Sequence, residues 1–164
     1  MIIAVSACLV GENVTYRGDS NRNEQVIEIL EGHERVLVCP EVIGGLPIPR
    51  KPSEIKSFEP LKVVNIAGED VTEEFYQGAF QEVRKLKKMG VKMAILKKNS
   101  PSCGNETVYD GSFSHKVVEG SGVFVSLLKE EGIIAFNEDQ INKIKDYIRK
   151  EDENGTCIKN ETGI

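Results

Sequence analysis

Apolar and polar residues alternate along the chain in blocks that predict a regular succession of strands and helices. Five short apolar runs, rich in β-branched residues, have the length of buried strands. They are residues 2–8, 36–39, 61–66, 91–96 and 133–136. Glycines and prolines punctuate the intervening segments, and the stretch from Pro40 to Pro52 contains so many of them that it predicts no regular structure.

The longer segments between these runs show the three- and four-residue spacing of helices that pack one face on a sheet. They begin near Asn21, Asp70, Gly122 and Glu138 and end near Gly32, Gly90, Gly132 and Lys150. Capping-box spacing at the first two starts, and a glycine just past the end of the first three helices, support these limits. Strands that alternate with helices predict an α/β fold. We expect a mainly parallel sheet with helices on both faces, in a Rossmann-like three-layer arrangement.

Length and composition predict one domain. The chain has 164 residues, enough for a single core that buries roughly 70% of the unfolded surface. We place this domain at residues 1–150, followed by a polar C-terminal tail at residues 151–164 that is expected to fray. No internal repeat interrupts this organisation.

Charge and hydropathy restrict the classes of molecule that this protein is expected to bind. A net charge of −5 offers no electrostatic footprint for a nucleic acid polymer or an anionic membrane. The basic stretch at residues 84–88 lies on a predicted helix and is interpreted as a solvated face. No apolar run approaches the ~20 residues needed to span a bilayer, and the first residues do not resemble a secretory signal. We therefore expect a cytoplasmic protein with reduced thiols.

Three of the four cysteines stand where an apolar run gives way to a turn. Cys8 follows the first predicted strand, Cys39 the second, and Cys103 the run that ends near residue 96. The carboxyl ends of parallel strands share one edge, outside which ligands bind in open α/β sheets. The three thiols are therefore predicted to meet at one metal or cluster, although each alone is compatible with a small buried hydrophobe. Cys157, in the polar tail, is interpreted as an incidental thiol.

The chemistry of three thiols restricts what they bind. Thiolates do not crowd together unpaired, so a soft cation has to neutralise them. Ligation by cysteine alone selects iron–sulfur clusters, zinc or Cu(I), and three ligands leave one position open for a substrate. His33 and His115 are weaker candidates for a fourth ligand, because neither lies at a predicted strand end.

The loops near these cysteines contain further candidate functional residues, and each of them has two interpretations. Glu41, two residues past Cys39, is either a surface carboxylate or a group placed for proton transfer. The segment Gly44 to Arg50 is either a rigid connector or a place where backbone amides approach a ligand, with Arg50 binding a carboxylate or phosphate. Residues 120–122 (GSG) favour helix capping over anion binding, since no phosphate-binding fingerprint is present.

Four motifs together carry a resemblance to a known family. The segments VSACLVGENVTYRG, VCPEVIGGLPIPR, GEDVTEEF and NSPSCG resemble a bacterial family long labelled a domain of unknown function, which includes the thiouracil desulfidases. The resemblance extends from Ile3 to about Phe136, with the motifs in the expected order. It implies a [4Fe–4S] cluster held by Cys8, Cys39 and Cys103, whose fourth iron is open to the sulfur of a thiolated nucleobase.

The resemblance also assigns residues that assist the chemistry. It implies roles for Glu41 and for a serine of NSPSCG, and the motif does not decide between Ser100 and Ser102. Many members carry a further cysteine at the position held here by Val14. This departure leaves the three cluster ligands in place, but it weakens any role that needs a fourth thiol.

The expected function is therefore an iron–sulfur-dependent desulfidase. Its substrate would be a small thiolated base or nucleoside such as 2-thiouracil, converted to uracil and sulfide without net redox change. The same three ligands also suit a metal or cluster sensor, or a sulfur carrier that hydrolyses nothing. An iron-free thiol enzyme with Cys103 as nucleophile is the least favoured class, because no histidine is evidently paired with that cysteine.

Overall fold

The computed structural model describes the backbone of residues 1–162 and the side chains of residues 1–155, so the side chain of Cys157 lies outside the described part. Eight strands and five helices succeed one another in the described chain. They are β1 (Ile2–Ser6), α1 (Glu24–Leu30), β2 (Glu34–Val38), α2 (Pro40–Ile43), β3 (Ser53–Phe58), β4 (Leu61–Asn65), α3 (Thr72–Lys88), β5 (Met93–Leu96), β6 (Thr107–Tyr109), β7 (Val117–Glu119), α4 (Val123–Glu130), β8 (Ile134–Asn137) and α5 (Ile141–Thr162).

Four of the strands form a parallel sheet in the order β2-β1-β5-β8. In its centre, Ala4 of β1 pairs with Val36 on one side and Ala94 on the other. The connection that leaves β1 leads outward to β2, whereas the connection that leaves β5 leads in the opposite direction to β8. A crevice therefore opens between the carboxyl ends of β1 and β5, which is where ligands bind in sheets of this type.

Helices cover both faces of this sheet, as predicted. Successive residues of a strand point to opposite faces, so β1 contributes to two apolar layers. Ala4 belongs to the layer that contains Phe75 of α3 and Phe124 of α4. Ile3 belongs to the layer beneath α1 and α5, which contains Ile144. The three-layer α/β fold expected from the sequence is confirmed.

The strand predicted at residues 61–66 is present, but it does not join the parallel sheet. It forms β4, which pairs antiparallel with β3 in a separate hairpin outside the main sheet. A parallel pairing would need a crossover of a dozen or more residues, usually a helix, whereas β3 is only two residues away along the chain. The shorter connection explains the outcome. A second hairpin joins β6 and β7.

The segment Pro40–Pro52 contains one regular element that the sequence pattern missed. Helix α2 begins at Pro40 immediately after Cys39, which is its N-cap. Proline is favoured at the first position of a helix, where its missing N–H has no partner to lose. The prediction of no regular structure is therefore wrong for residues 40–43.

Helix limits differ from the predicted ones at three places. Asn23, not Asn21, caps α1, and its side chain accepts a hydrogen bond from the Val26 N–H at 3.1 Å. Asp70 lies one residue before the N-cap of α3 and accepts from the Thr72 N–H. Helix α5 continues past residue 150, where the sequence predicted the helix to end. The boundary between domain and tail at that residue stays a prediction.

Candidate active site

The structure brings the three predicted cysteine ligands to one cavity. Cys8 lies in the short 3-10 helix that follows β1, Cys39 directly follows β2, and Cys103 lies in the loop after β5. All three line a cavity of about 520 Å³ at the carboxyl edge of the sheet, which we call the cysteine cavity. Cys103 is buried, and the other two are half-buried.

The surroundings hold these cysteines as neutral thiols when no cation is present. Burial raises the pKa of Cys8, of Cys39 and, most strongly, of Cys103. The charge that Cys39 would carry raises the pKa of the other two further, although less than burial does. Three thiolates at this place therefore require a positive partner, in keeping with the sequence argument for a soft metal centre.

Hydrogen-bond donors nevertheless point at the sulfur atoms. The side chain of Asn21 faces Cys8, and the backbone N–H of Val42 faces Cys39. The hydroxyls of Ser6 and Ser102 lie near Cys103, and the Ser102 hydroxyl, 3.6 Å from its Sγ, has a single hydrogen to give either to this sulfur or to Glu41. These donors lower the thiol pKa values and would stabilise thiolate ligands once a cation is bound.

Ser6 was not predicted from the sequence. It is the last residue of β1, and its side chain turns inward so that only 3% of the residue is exposed. Its Oγ also accepts a hydrogen bond from the Lys97 N–H at 3.0 Å, which ties the end of β1 to the end of β5. The available signal was a hydroxyl residue at the end of an otherwise apolar strand.

The carboxylate of Glu41 is held from two sides at the wall of the cysteine cavity. Its Oε2 accepts a hydrogen bond from the Ser102 hydroxyl at 2.9 Å, and its Oε1 accepts from the Arg50 Nε at 3.2 Å. The Arg50 and Glu41 side chains are only 7% and 17% exposed. The sequence analysis offered Arg50 as a residue that binds a carboxylate or phosphate of a ligand, whereas in the structure it pairs with Glu41 of the chain itself.

Arg50 also ties together the two loops that border the cavity. Its Nη2 donates to the Val14 carbonyl at 2.9 Å, and its backbone N–H donates to the Tyr16 carbonyl at 2.7 Å. Its Nη1 donates to the Pro47 carbonyl at 3.3 Å. The planar guanidinium thus binds Glu41 and the carbonyls of Val14 and Pro47 together, so the position of Glu41 depends on the loop after β1.

The two candidate serines have different contacts. Ser102, which is 1% exposed, contacts Glu41 directly. The Ser100 Oγ lies 3.0 Å from the Ser102 Oγ and accepts from the backbone N–H groups of Ser102 and Cys103 at 3.2 and 3.1 Å. When Ser102 gives its single hydroxyl hydrogen to Glu41, Ser100 is the donor between the two hydroxyls. Ser102 therefore adjoins the carboxylate, and Ser100 organises the loop.

Close backbone packing places α2, and with it Glu41, against α3. A Cβ atom at Gly44 would lie 2.0 Å from the Glu74 carbonyl oxygen, and one at Gly78 would lie 1.8 Å from the Pro40 carbonyl oxygen. Any side chain at either position would push the two helices apart. The glycine at position 44 therefore serves helix packing, not the approach of a ligand to backbone amides.

The start of α4 supports the loop that carries Cys103. The N–H groups of Gly122, Val123 and Phe124 donate to the carbonyls of residues 104, 101 and 102 at 2.8, 2.9 and 3.0 Å. These amides are thus engaged by the backbone, and the capping interpretation of residues 120–122 is confirmed. A Cβ at Gly122 would lie 2.4 Å from the Ser102 carbonyl oxygen, so only glycine fits there.

Two buried carboxylates support strand ends and were missed in the sequence. Glu82 on α3 is 2% exposed and accepts from the Cys39 N–H at 3.2 Å. Glu138, just after β8, accepts from the Lys98 N–H at 2.7 Å and pairs with the Lys97 Nζ at 3.2 Å. Glu82 could have been noticed, because it falls within the apolar stripe of α3.

Comparison with known proteins agrees with this geometry. The model of the family described as 2-thiouracil desulfurase matches residues 3–140. The chain belongs to this family. It is 37% identical over 150 residues to the uncharacterized protein YbbK of Bacillus subtilis (strain 168), covering 87% of this chain and 99% of that protein.

A solved structure in the comparison shares the fold as well as the sequence. It is a [4Fe-4S]-dependent thiouracil desulfidase, TudS, which is 37% identical and superimposes with a TM-score of 0.82. The match covers 90% of this chain and 97% of that one. The resemblance inferred from the four motifs is thereby confirmed, and so is the fold expected for this desulfurase family.

The structure places the two histidines of the sequence analysis in different parts of the molecule. His115 lines the cysteine cavity, whereas the His33 Nδ1 lies 3.4 Å from the Met1 amino group, away from it. Val14 also lines the cavity. Among the side chains of residues 1–155, no three of His, Cys, Asp or Glu are close enough to bind a single metal ion. Across the described helices, none is both long and apolar enough to cross a membrane.

Proposed function

We propose that this member of the desulfurase family is a [4Fe–4S]-dependent desulfidase. It would remove sulfur from a small thiolated base or nucleoside such as 2-thiouracil, giving uracil and sulfide without net redox change. The observation that carries this proposal is the Glu41 carboxylate, 2.9 Å from the Ser102 hydroxyl, on the wall of a cavity that three cysteines share. The net charge of −5 favours a small substrate over a nucleic acid polymer.

The three cysteine ligands fit a [4Fe–4S] cluster better than they fit a single metal ion. In a [4Fe–4S] cluster each cysteine binds a different iron, so the three sulfurs need not converge on one point. This agrees with the lack of a single-ion site among the side chains of residues 1–155. Cys8, Cys39 and Cys103 would be the ligands, in a buried setting where a cation is needed to keep them as thiolates. When bound, the cluster would supply an open iron that attracts the substrate sulfur and acts as a Lewis acid.

Glu41 is the residue placed to move protons in this reaction. Its carboxylate would take a proton from a water molecule, whose oxygen forms a bond to the carbon that bears the sulfur. The C–S bond then breaks, and the departing sulfide takes one proton back from Glu41 and a second from the hydroxyl group that the water left on the carbon. The sum is a thiocarbonyl plus water giving a carbonyl plus hydrogen sulfide, in which atoms and electrons balance.

Ser102 and Arg50 would keep the carboxylate in place during this exchange. The Ser102 hydroxyl donates to one oxygen of Glu41 and the Arg50 guanidinium to the other, so the carboxylate does not rotate freely. Ser100 holds Ser102 through their hydroxyl contact at 3.0 Å. We assign Ser102 to direct assistance of Glu41, and Ser100 to the order of the loop.

The geometry does not favour the thiol-enzyme class. Cys103 is 5% exposed, and burial raises the pKa of its thiol, whereas a cysteine nucleophile needs a depressed pKa and access to the substrate. A sensor or sulfur carrier would use the same three cysteines, but it would have no use for a proton-transfer group held as firmly as Glu41. Turnover separates these alternatives.

The decisive experiment is anaerobic reconstitution with iron and sulfide, followed by measurement of uracil formed from 2-thiouracil. We expect about four irons per chain, the number in the proposed cluster, and turnover. Glu41→Gln should keep the iron content and lower kcat by about 10²–10⁴-fold, and Ser102→Ala should lower it less. Turnover of Glu41→Gln at the wild-type rate would remove this residue from the chemistry. Cluster binding without any turnover by the wild type would favour the sensor or carrier.

A further inference from the structure

The connection between β6 and β7 borders the cysteine cavity in an unusual conformation. Within this loop, residues 110–116, Phe113 and His115 line the cavity. Both residues have left-handed backbone, with φ of 56° and 62°. Such a conformation is tolerated by histidine but is an outlier for a bulky side chain such as that of phenylalanine, and backbone of this kind concentrates at functional sites.

A buried carboxylate holds the loop in this conformation. Glu54 of β3 is 7% exposed, and its Oε1 accepts from the backbone N–H groups of Gly111 and Phe113 at 2.9 and 3.2 Å. A Cβ at Gly111 would lie 2.8 Å from the Ile55 carbonyl oxygen, so the loop rests directly on β3. The desulfidase chemistry proposed above gives Glu54 no role, although burying a carboxylate there requires compensation.

The loop presents a surface that suits a planar heteroaromatic ring. Phe113 and Tyr109 line the cavity from the β6–β7 side, and Tyr16 lines it from the loop after β1. Aromatic faces bind the apolar face of another ring, and an imidazole nitrogen can hydrogen-bond to a polar ring edge. Phe113 is half-buried, so contact with a ligand would cover apolar surface that the folded chain leaves open.

We propose that the β6–β7 loop, fixed by Glu54, is the recognition element for the substrate ring. Phe113 packs against the ring face, His115 hydrogen-bonds to a ring carbonyl, and Glu54 is a positioning residue that acts through the loop backbone. This inference rests on the proposed function and adds the class of substrate that the cavity selects, namely six-membered cyclic thioamides in preference to acyclic ones. An acyclic thiourea has no ring for Phe113 to contact.

The test measures uracil binding as well as turnover, because uracil carries the ring without the sulfur. In reconstituted protein, Phe113→Ala should raise the Kd of uracil and the KM for 2-thiouracil at least tenfold, leaving kcat within twofold. Phe113→Tyr should retain both values, and turnover of thiourea, where it occurs, should be unaffected by either change. Phe80→Ala is the matched control, since Phe80 is a 42% exposed phenylalanine on α3 outside the cavity.

Glu54 is tested through its conservative variant. Glu54→Ala should raise the KM for 2-thiouracil about as much as Phe113→Ala does, with little change in kcat. Glu54→Gln should restore the wild-type KM, because an amide oxygen accepts the same two N–H groups. If Glu54→Ala and Glu54→Gln both have lower iron content and lower kcat, the change in activity comes from poor folding. That result would overturn the positioning role of Glu54.

The outcomes separate this inference from the proposed function. Normal turnover in Phe113→Ala with unchanged KM and uracil Kd would overturn ring recognition and leave the desulfidase in place. Uracil binding that depends on Phe113, in a wild type that releases no sulfide, would support ring recognition and reject the desulfidase. A wild type that binds no uracil at millimolar concentration and converts no thiouracil would overturn both.

Discussion

Two concave regions of this protein differ in what their charged groups do. The first is a groove beside α1 and α5 of about 770 Å³, which we call the α1–α5 groove. Its lining residues are Ile29, His33, Lys145, Ile148, Arg149, Asp152 and Glu153. The second is the cysteine cavity, of about 520 Å³. In the groove, Arg149 is 60% exposed at its side chain and pairs with Asp146 and Glu153 of its own helix.

In the cysteine cavity, the corresponding groups are buried and paired between distant parts of the chain. Arg50 binds Glu41 and the loop after β1, and Ser102 reaches the same carboxylate from 61 residues away. Exposed pairs within one helix contribute little, whereas buried polar networks are expensive unless each member is satisfied. The comparison shows that polar groups shielded from solvent and held by several elements mark the site better than the presence of a concavity does.

Removal of one cysteine from the cysteine cavity should have a stronger effect than any change in the α1–α5 groove. Cys39→Ala should abolish cluster binding, because only two thiol ligands would remain, and desulfidase activity should fall to background. Iron and sulfide content after anaerobic reconstitution measures this directly. Cys157→Ala is the control, since the sequence predicts an incidental thiol there. Full iron content in Cys39→Ala would refute the proposed ligand set.

An arginine can be removed from each region to compare the two. Arg50→Ala should lower kcat about tenfold or more, because Glu41 loses the guanidinium that orients it and the loop after β1 loses its tie. Arg149→Ala in the α1–α5 groove should leave kcat unchanged and alter stability by less than about 0.5 kcal/mol. Steady-state kinetics and thermal unfolding of both variants measure the contrast.

If Arg50 positions Glu41 through its planar guanidinium, a lysine at this place should not replace it. Arg50→Lys should restore the charge without the planar fork, so kcat should stay well below that of the wild type. If Arg50→Lys and the wild type have equal kcat and KM, charge alone is sufficient, and the orientation of Glu41 by a guanidinium is not needed.

The two serines of the cavity, Ser100 and Ser102, can be distinguished by thermal unfolding, in which we expect a modest effect. Ser100→Ala removes the acceptor of two backbone N–H groups, and a lost buried partner costs about 1–3 kcal/mol. At about 2–4 °C per kcal/mol for a protein of this size, Tm should fall by several degrees, with kcat reduced less than in Ser102→Ala. Ser126→Ala, on the exposed face of α4, is the matched control for thermal unfolding. An unchanged Tm in Ser100→Ala would remove its role in ordering the loop.

Local patterns were sufficient for most of the elements. The apolar spacing of α3, including Phe75, Ala79 and Val83, identified that helix, and the short apolar runs identified β1, β2, β5 and β8. These patterns succeed because strand and helix periodicity is expressed between residues two to four positions apart. They failed at β4, since the choice between a parallel and an antiparallel partner depends on which strand the connection brings near.

Local patterns in the sequence were enough to show that cysteines 8, 39 and 103 follow apolar runs of an α/β fold, and with parallel strands this places them at one edge. The groups that surround them could be identified only once the chain was folded. Glu54 and Glu82 looked like ordinary helix or strand residues until their carboxylates were seen to bind backbone amides 57 and 43 residues away. Such contacts depend on distances created by packing, and no spacing along the chain encodes them.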